Sequence, residues 1–188
     1  MKTIDKYINE KLNISPKYNY KPTSKQELRE IIQERLKKDK DANLNDIDVS
    51  GITDMSYLFY DLDPHNIDIS EWDVSKVENM SSTFYGCENF NADLSKWNVS
   101  NVRIMHQMFR SASFNGDISN WKTPKLQSTI RMFYNNDVFD GDLKKWDVSR
   151  VNTFKEMFTN SVFNTDISQW DVRNATNFSH MFEDADFA

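Results

Sequence analysis

Apolar residues recur along this chain on a fixed schedule, and the step changes within each cycle. The five tryptophans, Trp72, Trp97, Trp121, Trp146 and Trp170, stand 25, 24, 25 and 24 residues apart. Three residues before them lie Ile69, Leu94, Ile118, Leu143 and Ile167; two after lie Val74, Val99, Thr123, Val148 and Val172. Further columns follow at Val77, Val102, Leu126, Val151 and Ala175, then at Met80, Met105, Thr129, Phe154 and Phe178. Each cycle closes on two phenylalanine columns, Phe84, Phe109, Phe133, Phe158 and Phe182, then Phe90, Phe114, Phe139, Phe163 and Phe187. A degenerate copy precedes them, with Ile47 in the tryptophan place, followed by Val49, Ile52, Met55, Leu58 and Phe59. Recurrence at one period points to a chain assembled by stacking one unit.

The steps predict the elements. Trp-x-Val alternates with period two, so it reads as a short strand with both side chains inward. The following apolar positions lie three or four apart, a helical spacing, which predicts a short helix over Val77–Cys87. Ser75 and Glu78 have the capping-box spacing for its start. Phe90 and residues 91–93 then read as the turn back. Strand, helix and turn make one coil of an α/β repeat solenoid, whose stacked strands form a parallel ladder. Before the array, Ser24-x-x-Glu27 leads into Leu28, Ile31, Ile32 and Leu36, which predicts an amphipathic helix over 24–39. A second helical pattern covers 3–12, with Pro16 and Pro22 between. The organisation expected is a helical N-terminal cap at 1–43 and a solenoid at 44–188. The solenoid divides into an opening half-coil, 44–65, and coils 66–90, 91–114, 115–139, 140–163 and 164–188, the last without a cap of its own.

Segments such as FNADLSKWNVSNVRIMHQMF and FNTDISQWDVRNATNFSHMF carry the frame D-I-S-x-W-D-V-S-x-V-x-x-M-x-x-M-F in register. With the lead-in YKPTSKQELREIIQERL, they make residues 20–188 resemble the bacterial surface protein repeat family. That family comprises the BspA-like leucine-rich repeats and the related repeats of mycoplasma surface lipoproteins. The resemblance implies a right-handed leucine-rich-repeat-type solenoid and binding of protein or matrix at a cell surface.

Composition narrows the function classes. Of 188 residues 38% are apolar, enough for a core, yet no apolar run approaches the ~18 residues of a membrane span. The start, MKTIDKYINEKLNIS, lacks the apolar stretch of a secretory signal, which favours a cytoplasmic or phage-encoded product over the cell surface that the resemblance suggests. Residues 1–43 hold 11 basic and 7 acidic residues, net +4; the remainder holds 12 and 22, net −10. An acidic body repels phosphates, so no nucleic-acid partner is expected, nor membrane insertion. The lone Cys87 excludes an intrachain disulfide and reads as a semi-buried thiol.

Candidate chemistry is sparse. His65, His106 and His180 fall at unrelated offsets, no metal-binding or nucleotide-binding motif occurs, and an enzyme is not expected. A tryptophan row could stack sugars, but its phase turns it inward as core. Asp68, Asp93, Asp117, Asp142 and Asp166 each follow Asn66, Asn91, Asn115, Asp140 and Asn164 by two residues. Stacked, such a row of like charges needs compensation, by Asx turns or by calcium as a cofactor, the weaker reading. The positions flanking each tryptophan vary in charge and size while the apolar columns do not. Glu71, Asp73, Lys96, Asn98, Asn120, Lys122, Lys145, Asp147, Gln169 and Asp171 are therefore the candidate partner-binding residues, on the outward face of the strand ladder. Lys122-Thr123-Pro124-Lys125 breaks the pattern and is a candidate local spot. The function expected is a non-enzymatic protein–protein interaction module with a protein partner. The alternative is an assembly component self-associating through the uncapped last coil, and a calcium-stabilised adhesin ranks below both.

Overall fold

The computed structural model describes residues 17–186. The helical pattern at 3–12 and Phe187 lie outside them. One helix forms among the described residues, α1 (Lys25–Leu36). Ser24 is its N-cap: its hydroxyl accepts from the Glu27 amide at 3.2 Å, while the Glu27 carboxylate reaches back to the Thr23 amide at 2.7 Å. Leu28, Ile32 and Leu36 are one turn apart and buried. The other face holds the helix to the body. Arg29 donates to the carbonyls of Tyr57, Leu58 and Tyr60, each at 2.6 Å, and Lys25 donates to Asp54 and Ser56.

Beyond α1 the expected solenoid of strand and helix is not what forms. From residue 37 onward no strand and no further helix occurs among the described residues; only isolated parallel bridges appear, such as Asn79↔Ile104 and Ile104↔Ser128. This overturns the leucine-rich-repeat reading and, with it, the likeness to BspA-like surface repeats, because both need a strand in every coil. The backbone is instead a succession of β-turns. Hydrogen bonds from residue i to i−3 close at Trp72→Ile69 (3.2 Å), Val77→Val74 (2.9 Å), Thr83→Met80 (3.3 Å), Cys87→Phe84 (3.2 Å) and Phe90→Cys87 (3.1 Å). Chained turns bring about every third residue inward, and that spacing imitates one face of a helix. The Val77–Cys87 helix is ruled out locally by Ser82 (φ 54°) and Gly86 (φ 70°), which are left-handed where a type II turn needs its third residue so. Ser75 caps nothing; its amide donates to Asp73 Oδ1 at 3.0 Å.

Equivalent residues of successive segments nevertheless lie against one another. The turns use alternate amides, and the others reach the next segment. Met80, Ser82, Phe84 and Gly86 donate to the carbonyls of Ile104, His106, Met108 and Arg110 at 2.7–3.0 Å. Met105, Gln107, Phe109 and Ser111 donate in turn to Ser128, Ile130, Met132 and Tyr134. Left-handed residues recur at Tyr57, Ser82, Gln107, Arg131, Glu156 and His180. Each non-glycine costs about 1–2 kcal/mol, which the cross-segment bonds must outweigh.

Apolar stacking fills the interior. Phe84–Phe109, Phe109–Phe133 and Phe133–Phe158 stack at 5.7, 5.6 and 5.7 Å, with Phe90, Phe114, Phe139 and Phe163 wedged about 4 Å from them. All five indoles are buried, and each Nε1 donates to a carbonyl of the preceding segment. The last described segment supplies an internal control. Phe178 is 44% exposed and Val172 38%, whereas their equivalents Phe154 and Val148, stacked on both sides, are 0% and 2% exposed.

The Leu94 carbonyl accepts from both the Trp97 amide and the Trp121 indole, each at 3.0 Å. Trp121→Phe removes the indole bond and is expected to cost about 1–3 kcal/mol in urea denaturation. A midpoint equal to that of the unsubstituted chain contradicts this reading of the indole.

Candidate functional site

No strand ladder exists to carry an outward strand face, so that face is withdrawn as the interaction surface. The end-to-end stacking of coils and the calcium-stabilised adhesin lose the same premise. Of the residues assigned to the face, Glu71, Asp73, Lys96, Asn98, Asn120, Lys122, Lys145, Asp147 and Gln169 are exposed and Asp171 half-buried. Several of them build turns. Asp73, Asn98, Asp147 and Asp171 each accept the amide two residues on, from Ser75, Ser100, Ser149 and Arg173. An Asx turn of this kind competes with strand geometry, and so the Trp-x-Val alternation does not become a strand. In the irregular segment, Thr123 is buried and donates to the Asp147 carbonyl, and Lys125 donates to Asn101 of the preceding segment.

The column considered for calcium is occupied in the same way. Asp68, Asp93, Asp117, Asp142 and Asp166 accept amides from Ser70, Ser95, Ser119, Lys144 and Ser168 at 2.8–3.1 Å. Among the described residues no three His, Cys, Asp or Glu side chains are grouped as metal ligands. The Ser95 side chain and amide hold Asp93 below the usual carboxylate range, and the Ser119 and Ser168 amides do so for Asp117 and Asp166. At Asp68 burial pushes upward, and bonds from Ser70 and Asn45 outweigh it.

The nucleophile and histidines are scattered. Cys87 is buried in a small-residue column with Ala112, Asn136 and Ser161, deeper than the semi-buried position expected. Burial, then the charge of Asp63, pushes its thiol up to about 12. His106 bonds to Ser128 Oγ, and burial lowers its basicity; His65 faces Asp63 and His180 faces Glu183.

The turn face holds a row that the sequence reading passed over. Tyr60, Tyr85, Arg110 and Tyr134 each stand one residue after the phenylalanine column, so the row could have been read as one more offset. Tyr60 and Tyr85 lie 5.3 Å apart. The Arg110 guanidinium carbon then sits 5.0 Å from the Tyr85 ring centre and 4.8 Å from that of Tyr134. All four side chains are half-buried. Arg110 Nη1 donates to Gln107 at 2.9 Å, its Nε is buried without an acceptor, and no carboxylate pairs with it among the described residues. Its neighbours differ. Arg131 is held by Glu156 through bonds of 2.6 and 3.1 Å, and Arg103 lies 3.5 Å from Glu78. Ile104 and Ile130 are half-buried on the segments of Arg110 and Tyr134, and the Ile130 carbonyl accepts the Gln107 amide.

Two expectations follow. The depressed aspartates contribute stability that is complete above their ordinary value of 3.8 and lost as pH falls through their lower folded values. The urea midpoint is therefore expected to drop between about pH 4 and about pH 2; a flat midpoint across that window contradicts it. Cys87 is expected to resist iodoacetamide at about pH 8 until urea unfolds the chain, and rapid native alkylation contradicts that.

Residues 26–136 and 113–187 match the profile of the family described as "Mycoplasma protein of unknown function, DUF285". No curated protein matches the chain, and no solved structure does. The two matches together span most of the chain, from the start of α1 to the last segment, and the chain belongs to this mycoplasma family.

Proposed function

We propose that the chain is a non-catalytic protein-binding chain whose contact lies on the turn face, around Tyr85, Arg110 and Tyr134, and takes in Ile104 and Ile130 of the same two segments. The observation that carries the reading is the stacked Tyr–Arg–Tyr row, half-buried and tied through Gln107, which holds Arg110, to the backbone of half-buried Ile130. Tyrosine, arginine and aliphatic groups in one patch are the composition of interface centres, where large rigid side chains exclude water at small entropic cost. The positions flanking the tryptophans are instead mostly exposed, and Asp73, Asn98, Asp147 and Asp171 among them are engaged in Asx turns. The non-catalytic part is supported by the dispersal of His65, His106 and His180 and by a thiol that stays protonated at neutral pH. Among the described residues no helix is long and apolar enough to cross a membrane.

Cross-linking tests the face. A photoreactive phenylalanine replaces Ile130 in one version of the chain and Lys145, on the tryptophan side, in another. Irradiation in cells that make the chain is expected to yield a discrete protein adduct from position 130 and none from 145. An adduct of twice the chain's own mass would identify the partner as a second copy. Adducts from 145 alone, equal adducts from both, or none from either would contradict the proposal.

A further inference from the structure

We infer that the turn face recognises a protein segment carrying an aspartate or glutamate side chain flanked by apolar residues, with Arg110 receiving the carboxylate. The inference rests on the protein-binding reading above and adds to it the chemistry of the partner. Three observations carry it.

The first is the fixed plane of the guanidinium. Tyr85 and Tyr134 hold it from both sides, and Gln107 takes Nη1, so the side chain's usual freedom is already lost before any partner arrives. A guanidinium held in place, with Nη2 still open, suits a charge-assisted hydrogen bond to a carboxylate.

The second is the absence of a counter-charge. Arg103 and Arg131 have Glu78 and Glu156, and Arg35 has Asp46 at 3.0 Å, while Arg110 has no carboxylate among the described residues and its buried Nε has no acceptor. Among the described residues Nη2 also has no acceptor, and it is not buried, so it can take one from outside. Stacking alone does not require a charge here. The row uses tyrosine at the two preceding places and at the following one.

The third is charge contrast. Arg103, Arg110, Arg131 and Lys155 stand against Glu78 and Glu156, while Asp61, Asp63 and Glu88 line the hollow beside Tyr60 and Tyr85, on a body whose residues from 44 onward sum to −10. An acidic segment approaching this molecule meets repulsion over most of its surface, the Tyr60 end of the row included, and attraction at the unpaired Arg110 guanidinium. Half-buried Ile130, bonded through its carbonyl to the Gln107 that holds Arg110, and half-buried Ile104 are the aliphatic residues expected to meet its apolar flanks.

Random dodecapeptides displayed on phage and selected on the full chain supply the probe. Their footprint is read from methyl NMR shifts of Ile104 and Ile130, and affinity from fluorescence anisotropy of the synthesised peptides. Peptides that shift these methyls are expected to share one acidic position, and replacing that residue by glutamine is expected to weaken binding about tenfold or more. Arg110→Tyr, which continues the tyrosine row without the charge, is expected to weaken the acidic peptide as much and the glutamine peptide little. Should that variant fail to fold by circular dichroism, Arg110→Gln takes its place.

Peptides that shift Ile104 and Ile130 without an acidic preference, and bind Arg110→Tyr equally well, would overturn carboxylate recognition and leave the binding face standing. Peptides that shift neither methyl, or a selection that enriches none, would overturn both. Phosphoserine binding more than tenfold tighter than glutamate at the acidic position would overturn the carboxylate in favour of a phosphate.

Discussion

Each β-turn satisfies only alternate amides of its own backbone, and the amides left over must find carbonyls on the neighbouring segment. That constraint organises everything after α1. It sets the parallel contact between segments and places left-handed residues at fixed points along each turn. It also stacks the phenylalanine columns at ring separations near 5.7 Å. The first segment's outward carbonyls have no such neighbour, and the Arg29 guanidinium of α1 meets three of them. A helix whose apolar face covers the interior while its cation covers the backbone closes that end in both currencies, apolar and polar.

Much of this was legible in the residues. The tryptophan and phenylalanine columns are inward, α1 begins at its capping box, and the aspartate that ends each Asn/Asp-x-Asp makes an Asx turn. Each follows from a local rule that needs no tertiary knowledge. The regular elements were not legible. Trp-x-Val alternates like a strand, yet the intervening Asp73 or Asp147 captures the amide two residues on and bends the chain. The three-residue step after it belongs equally to chained turns and to a helix, and only the sign of φ at Ser82, Gln107 or Glu156 separates them. A serine, a glutamine and a glutamate give no sequence warning of left-handed geometry, because cross-segment bonds, not propensity, impose it.

The Tyr60–Tyr85–Arg110–Tyr134 row was missed for a related reason. Attention to columns that do not vary finds the core, and attention to those that vary freely finds the solvated side. This column is neither: Tyr60, Tyr85 and Tyr134 match, and Arg110, Thr159 and Glu183 depart. The departure at Arg110 is informative because the structure keeps the stacking there and adds a charge that no carboxylate among the described residues neutralises. Membership of a mycoplasma family of unknown function sets no activity against which to weigh it, so the physical character of the patch carries the reading.

The central claim is that cross-segment amides, rather than strands or helices, hold the body together. Amide hydrogen exchange resolved by NMR tests it most directly. The account predicts that the amides of Met105, Gln107, Phe109 and Ser111 are strongly protected and open together with those of Met80, Ser82, Phe84 and Gly86, at the free energy of global unfolding. Exchange of these amides at unprotected loop rates, or a run of consecutive protected amides over 77–87 as a helix would give, would contradict it.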